Sequence, residues 1–158
     1  MAQAGETGFP EIFLPQGMRT AGTQDWRQIG AITAEAFAED PVNLWIFGNT
    51  APMAAVFGKL ARSVYLPRGV CHVKADDGAT MWCHSSANRE LSFFGLLGLV
   101  AAISSKGTKG AATRGRTAAE TMAREHPKTP HLYLFTIGTR KAARGKGLGK
   151  MLISPVLE

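Results

Sequence analysis

Apolar residues recur at helical spacing in two segments of the N-terminal half of the chain. The first segment follows Thr23, which is placed as the N-cap, and the second covers residues 51–66. The first helix is expected to end near Glu39 and Asp40, because the residue before Pro41 avoids helical backbone. Two amphipathic helices are therefore predicted in this half of the chain.

Strand-like segments lie before and after these helices. Residues 18–20 are predicted to form a short first strand, residues 70–84 a β-hairpin, and residues 131–138 a longer strand rich in aromatic and β-branched residues. Within the hairpin, Asp77-Gly78 is the strongest two-residue turn signal in the chain. The chain is therefore predicted to contain both helices and strands.

A two-residue turn at residues 77–78 fixes the register of the predicted hairpin. It pairs His72 with Cys83 and Cys71 with His84, so that each face of the hairpin receives one cysteine and one histidine. A tetrahedral structural zinc site needs four converging ligands. We therefore expect no metal site, and we expect no disulfide between two cysteines that lie on opposite faces.

A long insertion, residues 85–130, separates the hairpin from the last predicted strand. Residues 91–103 are strongly apolar but too few to span a bilayer, and they are predicted to form a buried or pocket-covering helix. Residues 106–116 are basic and glycine-rich and are predicted to form a mobile loop. Residues 117–126 are predicted to return as a helix, which Pro127 ends.

The last part of the chain, residues 131–158, carries the strongest functional signal. Its strand is followed by a basic turn, by three glycines at alternate positions and by an apolar helical stretch. The free N–H groups and the dipole of a first helical turn favour an anion, and glycines let a phosphate approach the backbone. The predicted ligand is a pyrophosphate or a similar polyanion. Mobile positive charge is expected from Arg140, Lys141, Arg144, Lys146 and Lys150.

The glycine spacing distinguishes this segment from two common phosphate motifs. The P-loop would need a glycine at Arg144 and a hydroxyl residue at Met151, and the dinucleotide fingerprint needs G-x-G-x-x-G where this chain has G-x-G-x-G. Residues 144–149 instead read R-x-x-G-x-G, directly after a strand and opening a helix. This order resembles the acetyl-CoA loop of the GNAT superfamily of N-acetyltransferases, although residues 139–141 lack the proline that the family usually has there.

The resemblance implies a fold, a reaction and a set of cofactor contacts. The fold is α/β (α+β), a mixed, mostly antiparallel sheet flanked by helices, with a helical insertion between strands 3 and 4. The reaction is direct transfer of an acetyl group from acetyl-CoA to a primary amine of a small molecule or a peptide, with no metal. Strand backbone would bind the pantetheine arm and the loop the pyrophosphate. The implied cofactor-binding residues are Phe135, Ile137, Gly138, Thr139, Arg144, Gly145, Lys146, Gly147, Leu148, Gly149 and Lys150.

An acidic pair before a proline and a tryptophan resembles the family's loop between the first two helices, which often lines the acceptor-amine pocket. The implied substrate-binding residues are Glu39, Asp40 and Trp45. Solvation of a helix end explains the two carboxylates equally well. The amine must lose a proton before attack, and Glu39, Asp40 and His84 all qualify as the acceptor of that proton, so that no catalytic residue is assigned.

The inserted helical pair and Glu125-His126-Pro127 resemble the antibiotic-acetylating branch, which includes puromycin acetyltransferase-like enzymes.

We expect residues 1–158 to form a single, C-terminally incomplete domain with a loose N-terminal arm over residues 1–16. The last helix would be the family's third, and the family's C-terminal strands would be absent from this chain. A dimer or an exchanged strand would then complete the sheet, and the chain alone is expected to bind CoA weakly.

Composition limits the alternatives without selecting one. The chain has 158 residues, of which 45% are hydrophobic and 19% charged, typical of one globular domain. The net charge of +6 suits an anionic ligand, a nucleic acid or a membrane surface equally well. Two cysteines, no signal peptide and no run of transmembrane length predict a cytoplasmic protein that does not use a membrane.

Two further functions stay open. One is a non-catalytic acyl-CoA-binding relic. The other is a nucleic-acid-binding module, which the scarcity of aromatic residues among the basic residues disfavours.

Overall fold

Four strands form one antiparallel sheet in the order β1-β2-β3-β4 in the computed structural model, which describes Phe9 and residues 12–157. The expected loose arm over residues 1–16 lies largely outside the described residues. Within the described residues, β4 pairs with β3 alone. The strands are β1 (Met18–Thr20), β2 (Val70–Lys74), β3 (Gly78–His84) and β4 (Leu132–Thr139).

Helices cover both faces of this sheet. On one face, the first and third helices pack against each other and against the strands; on the other face lies the last helix. Two inserted helices follow β3 and precede β4, as predicted. The helices are α1 (Trp26–Ala36), α2 (Pro41–Phe47), α3 (Met53–Leu60), α4 (Leu66–Arg68), α5 (Phe93–Lys106), α6 (Ala111–Glu125) and α7 (Leu148–Leu157).

The main core lies between the sheet and the α1–α3 pair. The two helices approach closely at Gly30, where an added Cβ would lie 2.5 Å from the carbonyl oxygen of Ala54 and 2.7 Å from the nitrogen of Gly58. A smaller cluster on the opposite face joins Leu148 and Leu152 of α7 to the sheet. The main core contains Ile29, Ile32, Met53, Val56, Phe57, Cys71, Val73, Ala79, Met81 and Cys83.

The start of the first helix differs from the prediction. Thr23 is not its N-cap, because it begins a short 3₁₀ turn, Thr23–Asp25, that precedes α1. The carboxylate of Asp25 accepts the backbone N–H of Gly22 at 2.7 Å and pairs with both terminal nitrogens of Arg19 at 2.6 and 2.9 Å. The Asp25 carboxylate thus fixes the residue before the turn, and no side chain of the described residues caps the first N–H groups of α1.

The end of the first helix also differs from the prediction. α1 ends at Ala36 rather than near residues 39–40, and the segment expected to be a loop contains α2. Asp40 is the N-cap of α2, and its carboxylate accepts the backbone N–H of Asn43 at 2.8 Å. Pro41 occupies the first helical position. The N–H of that position has no acceptor within the helix, so a proline, which lacks an N–H, costs no hydrogen bond there. The proline therefore starts a helix as well as following one.

The second predicted helix is confirmed and is longer than expected. α3 passes into a π-helical turn, Ala61–Tyr65, which passes directly into α4. Helical backbone therefore continues to Arg68, beyond the predicted end at residue 66. The π turn places Tyr65 in the core, where only 5% of its surface is exposed.

The β2–β3 hairpin is confirmed, but its turn is not the predicted one at residues 77–78. Lys74 pairs with Gly78, and the three residues between them form the turn. Ala75 takes a φ of 47°, in the left-handed region that alanine rarely adopts. Gly78 is the first residue of β3, where an added Cβ would lie 2.7 Å from Cδ1 of Leu152. This glycine is needed for packing against α7 rather than for the turn.

The observed register changes which side chains share a face of the sheet. Cys71 and Cys83 both face the main core as buried free thiols, whereas His72 and His84 lie on the opposite face. The expected mixture of one cysteine and one histidine on each face is therefore wrong. Thiols on one face and imidazoles on the other do not converge on one point, and the described residues contain no group of three metal-ligating side chains.

The insertion is less buried and more helical than predicted. Phe93 and Phe94 of α5 are 74% and 80% exposed, so the expectation of a buried helix is wrong; Phe94 instead lines a surface depression beside Trp26. The predicted loop over residues 106–116 is confirmed only for residues 107–110, because α5 continues to Lys106 and α6 begins at Ala111. No helix among the described residues is long and apolar enough to cross a bilayer.

Candidate functional site

The free edge of β4 carries unpaired backbone groups. The N–H of Arg140 donates to the carbonyl of Asp77 at 2.8 Å, which makes Thr139 and Gly78 a non-hydrogen-bonded pair. Because the bonding alternates along an antiparallel strand, the N–H and C=O groups of Thr139 and Ile137 point away from β3. Within the described residues, no strand lies on that side. Two of the predicted cofactor-binding residues thus present free backbone donors and acceptors.

Gly138 has a different role from its neighbours. Its position opposite Ala79 directs its backbone groups toward β3. A Cβ added at Gly138 would lie 3.2 Å from Cβ of Ala36 and 3.3 Å from Cα of Thr33. The glycine therefore lets α1 pack closely on β4.

Phe135 lies at an irregular step of β4. Met81 pairs with Thr136 and Trp82 with Leu134, so that Phe135 has no partner residue on β3. Its ring stacks on Tyr65, with centroids 4.7 Å apart and planes 7° from parallel. The Phe135 side chain thus contributes to the core. Burial raises the pKa of the Tyr65 hydroxyl, which keeps it neutral.

After β4 the chain forms a segment that we call the glycine loop, residues 140–149. Gly145 and Gly147 have φ values of 77° and 74°, a region where a Cβ costs about 1–2 kcal/mol. Gly149 lies in the first turn of α7. Apart from the adjacent chain and the helix's own backbone, no atom of the described residues lies within 4 Å of a Cβ added at any of the three glycines. They border an open cavity of about 270 Å³, which is lined by Thr139, Ala143, Arg144, Gly145, Gly147, Leu148 and Gly149.

The first turn of α7 supplies unpaired N–H groups beside this cavity. The helix begins at Leu148. Its first intrahelical bond joins the N–H of Met151 to the carbonyl of Gly147 at 3.1 Å. The N–H groups of Leu148, Gly149 and Lys150 therefore have no intrahelical acceptor, and the helix dipole adds partial positive charge at the same end.

Two of the five basic residues in this region are held by carboxylates. Arg140 bonds to Glu35 at 2.7 Å and to the Asp76 carboxylate at 3.0 Å, and Lys141 bonds to Glu39 at 2.6 Å. The Arg140 guanidinium holds the pKa of the Asp76 carboxyl below its usual range. The prediction that all five residues supply mobile charge is wrong for this pair, because the end of α1 and the hairpin turn bring acidic groups that the local sequence does not show.

The other three cations are free of carboxylates within the described residues. Arg144 reaches the carbonyl oxygen of Ala36 at 3.4 Å, a weak contact with the negative end of α1. Lys146 and Lys150 are exposed. All three lie in or beside the segment that lines the cavity, which therefore combines net positive charge with unpaired N–H groups.

The predicted acceptor-side residues are not gathered into one pocket. Glu39 pairs with Lys141, Asp40 caps α2, and Trp45 is 53% exposed on that helix. Nδ1 of His84 lies 2.7 Å from the hydroxyl of Ser86. These contacts select none of the three groups proposed to take the proton, and the acceptor-side assignment stays a prediction.

The fold is similar to that of a solved acetyltransferase structure. It is the crystal structure of a "histone acetyltransferase HPA2 and related acetyltransferase" from Corynebacterium glutamicum, with a TM-score of 0.60 and 26% sequence identity. The match covers 86% of this chain and 66% of that protein, so this chain spans slightly less than two-thirds of its length. No protein-family model and no curated protein matches the chain. The structural match confirms the predicted GNAT-like α/β fold.

Proposed function

We propose that this chain binds acetyl-CoA at the glycine loop and transfers the acetyl group to a primary amine. The observation that carries the proposal is the cavity at the start of α7, which the three glycines and Arg144 line. The unpaired N–H groups of residues 148–150 lie beside it, and so do Lys146 and Lys150, which pair with no carboxylate of the described residues. Such a surface suits a diphosphate. Similarity to a protein described as an acetyltransferase supports this choice of ligand.

The free edge of β4 suits the rest of the donor. Backbone groups of Ile137 and Thr139 would bond to the amides of the pantetheine arm as a neighbouring strand does. The arm would then lead away from the glycine loop along β4, and the thioester that supplies the acetyl group would be held in one orientation. Orientation of the two reactants contributes much of the rate that such a site needs.

On the acceptor side, we propose a small-molecule amine. The resemblance of the α5–α6 insertion to the antibiotic-acetylating branch supports this class, and a peptide amine is the alternative. The amine nitrogen must be neutral when it attacks, so one of the chain's groups or a bound water takes its proton. Glu39, Asp40 and His84 are the groups to test by substitution.

Titration calorimetry with acetyl-CoA, followed by mass spectrometry of an amine panel, tests this function. We expect one saturable binding site and an acetylated amine that depends on both protein and acetyl-CoA. Saturable binding without any acetylated product would instead support the non-catalytic acyl-CoA-binding function. A nucleic-acid module would show no saturable CoA site and would bind DNA or RNA with an affinity that falls steeply as salt increases.

A further inference from the structure

The last turn of α1 binds the start of the glycine loop through one carboxylate. Oε1 of Glu35 accepts the backbone N–H of Lys141 at 2.8 Å, and Oε2 accepts Nη1 of Arg140 at 2.7 Å. The Lys141 N–H, and after it the Arg140 guanidinium, hold the pKa of Glu35 below its usual range. Both carboxylate oxygens are therefore used at one point of the loop.

The same point of the loop is anchored a second time. Arg140 also donates from Nε to the carbonyl of Asp76 at 2.7 Å and from Nη2 to the Asp76 carboxylate at 3.0 Å. The guanidinium therefore ties α1 and the hairpin turn to the residue that follows β4. Further along the loop, the space in front of Gly145 and Gly147 is open within the described part of the chain, since an added Cβ would meet no other residue within 4 Å. The two anchors thus fix the start of the glycine loop on one side of this open space.

Glu39 contacts the same loop in a different way. Its carboxylate lies 2.6 Å from Nζ of Lys141, with the two side chains 78% and 54% exposed. It makes no contact with the loop backbone among the bonds described for it. Such an exposed ion pair contributes little to stability. Its main effect is to neutralise an ammonium group that would otherwise be available to a phosphate.

We propose that Glu35 is a positioning residue for the donor diphosphate, and that Glu39 competes with the diphosphate for Lys141. This inference rests on the proposed function. Electrostatics alone predicts that removing either carboxylate tightens anion binding, because the loop becomes more positive. Positioning predicts the opposite result for Glu35, because a loop without its anchor loses more conformational freedom when it binds the donor.

Two isosteric variants with equal changes in charge provide the test. Calorimetry with CoA is expected to give a Kd about tenfold higher for Glu35→Gln, the size of one charge-assisted hydrogen bond, and a Kd a few-fold lower for Glu39→Gln. The effect of Glu39→Gln should shrink as salt is added, because that pair is exposed. CoA affinity that is unchanged or tighter in Glu35→Gln would overturn the inference.

Further measurements distinguish positioning from loss of folding. The KM for acetyl-CoA is expected to rise in Glu35→Gln, while the KM for the amine and kcat stay constant, a pattern that partial unfolding does not give. Asp76→Asn removes the ion pair between Arg140 and the hairpin turn but keeps the bond from Nε to the backbone carbonyl of residue 76 and does not change α1. It is expected to weaken CoA binding in the same direction. Unchanged CoA affinity in Asp76→Asn would contradict the anchoring even if Glu35→Gln does not fold. A wild-type chain that lacks saturable CoA binding would instead contradict the proposed function itself.

Discussion

His72 lies directly opposite Thr80 across the β2–β3 pair, and its backbone N–H donates to the Thr80 hydroxyl at 3.3 Å. The imidazole is fully buried on the face of the sheet that α7 covers, and neither ring nitrogen has a partner among the described residues. Burial lowers the pKa of His72 to about 4. The ring is therefore neutral in the folded chain at neutral pH.

This buried ring predicts a loss of stability in mild acid. The folded-state pKa of about 4 lies below the ordinary value of 6.5, so the unfolded chain binds more protons between these values. Stability from this source is complete above about pH 6.5 and decreases by about 2–3 kcal/mol as the pH falls toward 4. Urea denaturation at neutral and mildly acidic pH should show this decrease in the wild type and a smaller one in His72→Leu. Carboxylates such as Asp25 also lose stability in acid, but they do so equally in the wild type and in His72→Leu. Equal decreases in both proteins would therefore show that His72 is not the source of the loss.

Substitutions at Gly149 and Gly145 distinguish an effect on ligand binding from an effect on folding stability. Gly149 has helical backbone and open space around it, so Gly149→Ala should leave the free energy of unfolding unchanged or raise it by up to about 1 kcal/mol. The added methyl group would occupy the space that a phosphate needs, and CoA affinity should fall at least about tenfold. Calorimetry and urea denaturation on the same preparation measure both effects.

The matched variant is Gly145→Ala. Its φ of 77° makes alanine unfavourable by about 1–2 kcal/mol, so this variant should lose stability where Gly149→Ala does not. If Gly149→Ala binds CoA as tightly as the wild type, the diphosphate does not lie against the first turn of α7.

Gly30 determines how closely α1 and α3 approach. Gly30→Ala would place a Cβ against backbone atoms of Ala54 and Gly58 at under 3 Å, and the helices must separate to accept it. We expect a loss of at least about 2 kcal/mol in urea denaturation. Gly98→Ala on α5 is the control, since its Cβ would meet only the flexible end of Lys59 at 3.2 Å. Equal effects of the two substitutions would show that the α1–α3 contact is not as described.

Ala75 tests the register of the β2–β3 hairpin. Its left-handed φ of 47° is easier for glycine, so Ala75→Gly should stabilise the chain by about 0.5–1 kcal/mol. A two-residue turn at residues 77–78 would instead make Ala75 an extended strand residue, where glycine destabilises. Ala79→Gly, within β3, should destabilise in either register. Thermal unfolding of both variants decides between the two turns, and a destabilised Ala75→Gly would support the register that the sequence predicted.

The features predicted correctly from the sequence are those determined by residues that lie close together in the chain. The strand at residues 131–138 and the glycines before α7 are signalled by local composition and spacing, and both are found in the structure. The hairpin register was missed because Gly78 packs against Leu152, a contact between residues far apart in the chain. Glu35 was missed for the same reason: its partner Arg140 is 105 positions away, and an acidic residue near a helix end has no distinctive pattern.

The insertion shows a second limit of local pattern. The apolar run over residues 91–103 correctly indicates a helix, but hydrophobicity alone does not say which face another element covers. In the fold, α5 packs on α3 and α6 and leaves Phe93 and Phe94 exposed. Similarly, the basic and glycine-rich composition of residues 106–116 predicts a loop, but α6 begins within this segment. Arg114 helps to fix the start of α6 by donating to the carbonyl of Trp45 at 2.7 Å, a contact that the local sequence does not show.

Amide NMR during titration with acetyl-CoA tests the central claim most directly. If the unpaired N–H groups at the start of α7 bind the donor diphosphate, the amide signals of Leu148, Gly149 and Lys150 should shift together and saturate at the Kd found by calorimetry. The same signals should shift little with a CoA fragment that lacks the diphosphate. Saturable acetyl-CoA binding that leaves these three amides unmoved, or an absence of saturable binding, would contradict the account.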